Sequence, residues 1–184
     1  MSILKKTAIH YLVIILLACS MVSLAQTPAN REYQIKAVFL FNFTQFVEWP
    51  ASAFSSAQAP MVIGILGKDP FGSYLTEIVS GEQVNGRPLI IQHFNNTEEI
   101  KSCHILFINL EQANLQDELL KLKGKNILTV SDSPNFLLQG GMIRFFTKNN
   151  KMQFQINLDA TKEANLVISS KLLRLAEIFV SKKN

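Results

Sequence analysis

Pro60-Met61-Val62-Ile63-Gly64-Ile65-Leu66-Gly67 is the stretch that decides the fold. A short, unbroken apolar run stands between a proline and a glycine. It has no polar alternation and therefore no wet side, which is how a strand buried on both faces reads. Such strands belong to parallel sheets covered by helices, so strands and helices should alternate around it. Downstream, residues 68–72 make a turn and 73–79 a short helix closed by Gly81. Strands follow at 88–94, 104–110 and 126–130, separated by a helical step at 97–102 and an amphipathic helix at 115–122. That helix ends in Lys121, Lys123 and Gly124, as a C-terminus should. Ser131-Asp132-Ser133-Pro134 opens a further short helix, closed by Gly140-Gly141.

The register then changes. Residues 142–147 and 152–158 read as two strands joined by Lys148-Asn149-Asn150-Lys151, and asparagine tolerates the positive φ a hairpin needs. A helical turn at 160–165 precedes a terminal helix at 170–180, with Leu172, Leu173, Ala176, Phe179 and Val180 turned inward. Upstream, residues 31–47 form a helix ended by Pro50, with Tyr33, Ala37, Leu40, Phe41, Thr44 and Val47 at spacings of three and four. The expected fold is α/β: a single compact domain, a mostly parallel sheet with an antiparallel edge hairpin, and helices packed on both faces.

Composition agrees with a packed domain. Of 184 residues, 48% are hydrophobic and 17% charged, with mean hydropathy +0.17, which excludes a disordered chain. Two cysteines and three histidines leave no framework for a disulfide scaffold or a zinc fold. At the N-terminus, Lys5 and Lys6 precede a short apolar run, and Ser23-Leu24-Ala25 supplies small residues at −3 and −1. Residues 1–25 are read as a cleaved signal peptide and 26–184 as the mature domain. A second reading takes Leu16-Leu17-Ala18-Cys19 as a lipobox with Cys19 lipidated. A third leaves the leader uncleaved as an anchor, and all three place the domain outside the cytoplasm. Loss of Lys5 and Lys6 lowers the net charge from +4 to +2, which is no nucleic-acid footprint.

Catalytic patterns are absent from the sequence. Gly64-Ile65-Leu66-Gly67 is not a dinucleotide fingerprint. Cys103 and His104 are neighbours on a strand, so their side chains point to opposite faces and cannot act as nucleophile and base. No cofactor and no metal site is expected, since only His93 remains as a further nitrogen ligand. The lone mature thiol, Cys103, reads as a small buried hydrophobe or as one half of an intermolecular disulfide. Gly67, Asn109, Ser131 and Asp132 fall at the carboxyl edge of the sheet, where open α/β sheets take ligands. Phe39, Phe41, Phe43, Phe46 and Trp49, with Glu48, are more aromatic than one buried stripe accommodates, which makes them candidates for a partner surface.

Five stretches in order carry a resemblance. They are Lys36-Ala37-Val38-Phe39-Leu40-Phe41-Asn42-Phe43 with Phe46-Val47-Glu48-Trp49-Pro50; Asp69-Pro70-Phe71-Gly72; Cys103-His104-Ile105-Leu106-Phe107-Ile108; Leu128-Thr129-Val130-Ser131-Asp132 leading to Gly140-Gly141-Met142-Ile143; and Phe154-Gln155-Ile156-Asn157 leading to Ile168-Ser169-Ser170-Lys171-Leu172-Leu173. Together they resemble the YfiR family of periplasmic proteins. The resemblance implies a non-enzymatic regulator that holds an inner-membrane diguanylate cyclase inactive through its periplasmic sensor domain, and so controls cyclic di-GMP and biofilm. It also implies a compact α/β fold and a homodimer. Relatives serving sensor kinases or outer-membrane transport systems leave the partner open, as does a small-molecule-binding role for the sheet edge. Family members carry several cysteines, whereas the mature chain keeps one, so an internal redox bridge is not expected here.

On a helix, Phe39, Phe43 and Phe46 share a face and Phe41 points away. Alanine at Phe41 and alanine at Phe43 should therefore separate: thermal melting and repression assays on the two variants should show one losing stability and the other losing binding.

Overall fold

The computed structural model of the chain describes residues 28–180. The chain divides into two compact units, Met1–Arg31 and Glu32–Asn184, and the sheet and both cores belong to the second. The leader and Cys19 lie outside the described residues.

Helix α1 (Pro28–Phe46) runs into β1 (Val47–Glu48). Then come β2 (Met61–Gly67), α2 (Ser73–Val79), β3 (Gln83–Val84), β4 (Arg87–Phe94), β5 (Ile105–Asn109), α3 (Gln112–Leu122) and β6 (Leu128–Ser131). The hairpin β7 (Ile143–Lys148) and β8 (Lys151–Asn157) is followed by α4 (Leu158–Glu163), β9 (Val167–Ile168), α5 (Ser170–Leu173) and β10 (Glu177–Phe179). The main sheet has the order β3-β4-β2-β5-β6-β7-β8-β10. Strands β4, β2, β5, β6 and β7 are mutually parallel; β3 and β8 are antiparallel to their neighbours, and β10 is parallel to β8. From β2 the chain steps out to β4, returns past β2 to β5, and winds on in the other direction. This is a doubly wound α/β sheet with its switch point between β2 and β5.

Strand β2 shows why the opening stretch reads as it does. Met61, Ile63 and Ile65 enter one core with α1 and α2, and Leu66 enters a second with α3. Gly64 stands on the second face, where a Cβ would come within 2.8 Å of Leu106, Phe94 and Cys103. Only glycine lets these three side chains close over the strand.

Four expectations are corrected. The terminal segment is not a helix over 170–180. It is one turn of helix followed by β10, because β8 would otherwise end the sheet with an unpaired row of amides and carbonyls. Ile178 pairs with Ile156 and stays exposed, and Phe179 packs against the second core. The hairpin is therefore not the edge of the sheet; β10 is. The segment after Ser133 is a run of turns rather than a helix. Helix α1 also stops one residue early: Val47 and Glu48 are extended and pair antiparallel with β9. Pro50 restricts Trp49 to extended backbone, so the helix has no room to continue beyond Glu48, and pairing with β9 takes Val47 and Glu48 out of it. The hairpin turn holds as expected, with Asn149 at φ 51° and Asn150 at φ 58°.

Phe43 is 0% exposed and meets Phe145 and Phe154 at ring-centroid distances of 5.9 and 5.5 Å, whereas Phe41 is half-buried on the flank of α1. The helix thus uses Phe43 as its central anchor. Phe43→Ala should cost about 3–5 kcal/mol, the range for emptying a buried phenylalanine site, and Phe41→Ala clearly less, as read by urea unfolding.

Candidate functional site

At the carboxyl edge of the sheet, the positions that suggested a ligand site are taken up by the chain itself. Lys36 of α1 is only 1% exposed, and its ammonium lies 2.5 Å from Asp132 Oδ2, just beyond β6, and 2.7 Å from Glu32 on its own helix. It also sits 4.2 Å over the ring of Tyr33, whose hydroxyl donates to Asp132 at 3.1 Å. Burial, reinforced by the Asp132 charge, pushes the Tyr33 phenol up to about 12. Ser131 Oγ donates to the Ile108 carbonyl at 2.7 Å, and Asn109 Nδ2 to the Lys68 carbonyl at 2.7 Å. Gly67 lies in register with Asn109. Each polar side chain of this predicted quartet already has an internal partner. Lys36 was missed as a determinant. The signal was present: a lysine on the helical stripe between Tyr33 and Leu40 must be paired where the stripe is buried.

The predicted aromatic residues divide. Phe39 and Phe43 pack on Phe145 and Phe154, and Phe46 and Phe41 lie half-buried against the same core. Trp49 and Glu48 sit at the opposite, amino-terminal edge of the sheet. Trp49 Nε1 donates to the His104 carbonyl at 3.1 Å. The His104 ring, 0% exposed, stacks on Phe54 at 4.3 Å and meets Trp49 edge-on at 6.3 Å. On Phe54 also lies the Arg87 guanidinium, 3.8 Å from the ring centroid, donating to the carbonyls of Ser56 and Ala59. Beside this stack opens a cleft of about 390 Å³, walled by Trp49, Phe54, Met61 and Val84, with Glu48 and Arg87 among its lining residues. Glu48 is exposed, and no ion pair engages it among the described residues. The sequence pointed to Glu48 and Trp49 but not to Phe54, Arg87 or the buried ring of His104, which only the fold brings to them.

His104 Nδ1 accepts from the Val62 amide at 3.0 Å, so the neutral ring carries its proton on Nε2. Burial, with the Arg87 charge adding to it, lowers the imidazole from 6.5 to about 4, although the Ala53 carbonyl favours the cation. Its neighbour Cys103 turns to the other face, as strand alternation requires, and is 6% exposed in the second core with Sγ on the Ile105 carbonyl at 3.1 Å. Burial pushes this thiol up to about 12. A disulfide to a second chain from this position would first require the segment around Cys103 to leave the core. Among the described residues, no cluster of three or more His, Cys, Asp and Glu could hold a metal ion, and no helix is long and apolar enough to cross a membrane.

Fold and site together define a small doubly wound α/β domain whose buried ionisable groups tie its elements to one another. The sequence profile of a family described as YfiR/HmsC-like matches residues 33–177. This chain belongs to that family. No curated protein matches it.

Two outcomes follow for stability. Removing Asp132 leaves the buried ammonium with Glu32 alone, whereas removing Lys36 leaves a carboxylate that still reaches solvent. Asp132→Ala should therefore cost about 2 kcal/mol or more in urea unfolding, below the range for a charge left with no partner, and Lys36→Met distinctly less. For His104 the folded pKa lies below the unfolded one, so above pH 6.5 the group contributes nothing. As pH falls toward 4, the unfolded chain takes the proton and the folded one does not, and stability drops by roughly 3 kcal/mol over that window. In His104→Asn, unfolding curves measured from pH 7 to 4 should lose this component of the slope.

Proposed function

We propose that this protein is a periplasmic, non-enzymatic regulator that binds the periplasmic domain of an inner-membrane diguanylate cyclase and holds the cyclase inactive. Membership of the YfiR/HmsC-like family over residues 33–177 carries the reading. The apolar leader with its Ser23-Leu24-Ala25 site supports export to the periplasm. A domain outside the inner membrane can influence a cytoplasmic output only by binding one state of a membrane protein more tightly than another. That task needs an anchored surface and no reacting groups. The cleft at the amino-terminal sheet edge is the docking surface of this proposal. It offers aromatic walls in Trp49 and Phe54, the residue types that carry most interface energy. The exposed carboxylate of Glu48 supplies charge selectivity for a basic residue on the partner.

Deleting the gene should raise intracellular cyclic di-GMP, and the wild-type gene should restore it. Glu48→Arg reverses an exposed charge and should keep the melting temperature while failing to restore repression. Full repression by a well-expressed Glu48→Arg protein would remove the cleft from the proposal. Unchanged cyclic di-GMP in the deletion strain would remove the cyclase.

A further inference from the structure

The stack of Arg87, Phe54, His104 and Trp49 has a second property, set by hydrogen-bond polarity. The Nδ1 atom of His104 is an acceptor, filled by the Val62 N–H at 3.0 Å. A protonated imidazole is a donor at both nitrogens. Proton uptake would therefore set two N–H groups against each other. The ring cannot be charged in place; it has to leave its slot. The Nε2 atom meets no acceptor in full hydrogen-bond geometry; the one nearby group that favours a cation there is the Ala53 carbonyl, and it belongs to the 51–59 segment itself, so it moves with the ring rather than holding it in the slot. What leaves with the ring is defined by contact. Phe54 is stacked on it, and the 51–59 segment carrying Phe54 is held by a single turn at Ala51–Ala53 and by the Arg87 bonds to Ser56 and Ala59.

The surrounding charges add to this. Strands β2 and β6 and the 51–59 segment carry no ionisable side chain. Strand β4 contributes Arg87, on the far side of Phe54; Lys101 and Lys125 line a groove with Ser52 and Ala53 on the other side of the segment; and the thiol of Cys103 faces the other core. The carboxylate on the adjoining strand β1 is Glu48, which is exposed. Among the described residues, no buried acid waits to receive an imidazolium. Release into water is then the favourable way to carry the proton.

We propose that this stack is an acid-released latch: a proton on His104 expels the ring from between Trp49 and Phe54, frees the 51–59 segment and opens the wall of the adjoining cleft while the sheet stays folded. Its consequence for repression rests on the proposed docking role of the cleft; the latch itself does not.

Trp49 is the one tryptophan of the chain and touches the ring, so its emission reports the latch directly. The protein is titrated from pH 7.5 to 3.5 while Trp49 fluorescence and far-ultraviolet circular dichroism are followed in parallel. The latch requires a change in Trp49 emission, centred well below the ordinary histidine range, with the dichroism retained. His104→Asn, whose Oδ1 still accepts from Val62 but takes no proton, should abolish the transition. Arg87→Gln removes the neighbouring cation and two tethers of the segment, and should move the midpoint to higher pH. If His104→Asn does not fold, the ring protons of His104 followed by NMR in the wild type must titrate with the emission change. The latch is overturned if emission stays flat, if it changes only together with the dichroism, if it persists in His104→Asn, or if the His104 ring titrates outside the transition. None of these measurements involves a partner, so failure here leaves the proposed regulation of a cyclase untouched, and failure of that regulation leaves the latch standing.

Discussion

The ammonium of Lys36 is the constraint on which the arrangement of this domain depends. A cation that is 1% exposed has to be met by carboxylates wherever the chain can supply them. One comes from a turn earlier in α1, as Glu32, and the other from the end of β6, as Asp132. The second contact spans 96 residues and pins the helix across the carboxyl edge of the sheet. With the helix fixed there, its apolar stripe of Ala37, Leu40 and Phe43 lies along the first core, followed by Val47 of β1. The same contact occupies the end of the sheet at which doubly wound folds ordinarily take ligands.

Helix α1 is also where the five family stretches meet. Phe71, from the second stretch, sits between Tyr33 of the helix and Phe107 of the third. Asp132 of the fourth holds Lys36, and Phe154 of the fifth packs on Phe39 and Phe43. The helix exit is tied as well: β1 pairs with β9, and the Ser169 amide donates to the Phe46 carbonyl at 2.9 Å. Motifs spread along the chain are one set of contacts around one helix. This explains why a helix with four phenylalanines is not a free patch.

Cys103 and His104 show how a strand separates two chemistries that are adjacent in sequence. Cys103 closes over Gly64 in one core and is kept a neutral thiol by burial. His104 faces the other way into an aromatic slot, and is kept neutral by burial and by an amide that occupies its acceptor nitrogen. The cleft beside it, with Glu48 at its border, lies opposite the closed carboxyl edge. The docking surface we propose therefore lies at the end of the sheet that the fold alone would not have suggested.

The sequence by itself determined the alternation of strands and helices, the buried character of β2, the hairpin at Asn149-Asn150 and the family, because each rests on local periodicity, turn chemistry or residue order. It also placed Glu48 and Trp49 among the residues to watch. Tertiary structure decided the rest. Residues 177–179 become a strand because β8 has an edge to pair, a demand that the apolar residues of 170–180 do not encode. Lys36 is a buried tie rather than a solvated charge because Asp132 arrives from the far side of the sheet. Phe54 and Arg87 join Trp49 and His104 only once β2, β4 and β5 are side by side. Local sequence records what a segment can form; which ionisable and aromatic groups find each other depends on contacts between distant segments, and those exist only in the folded chain.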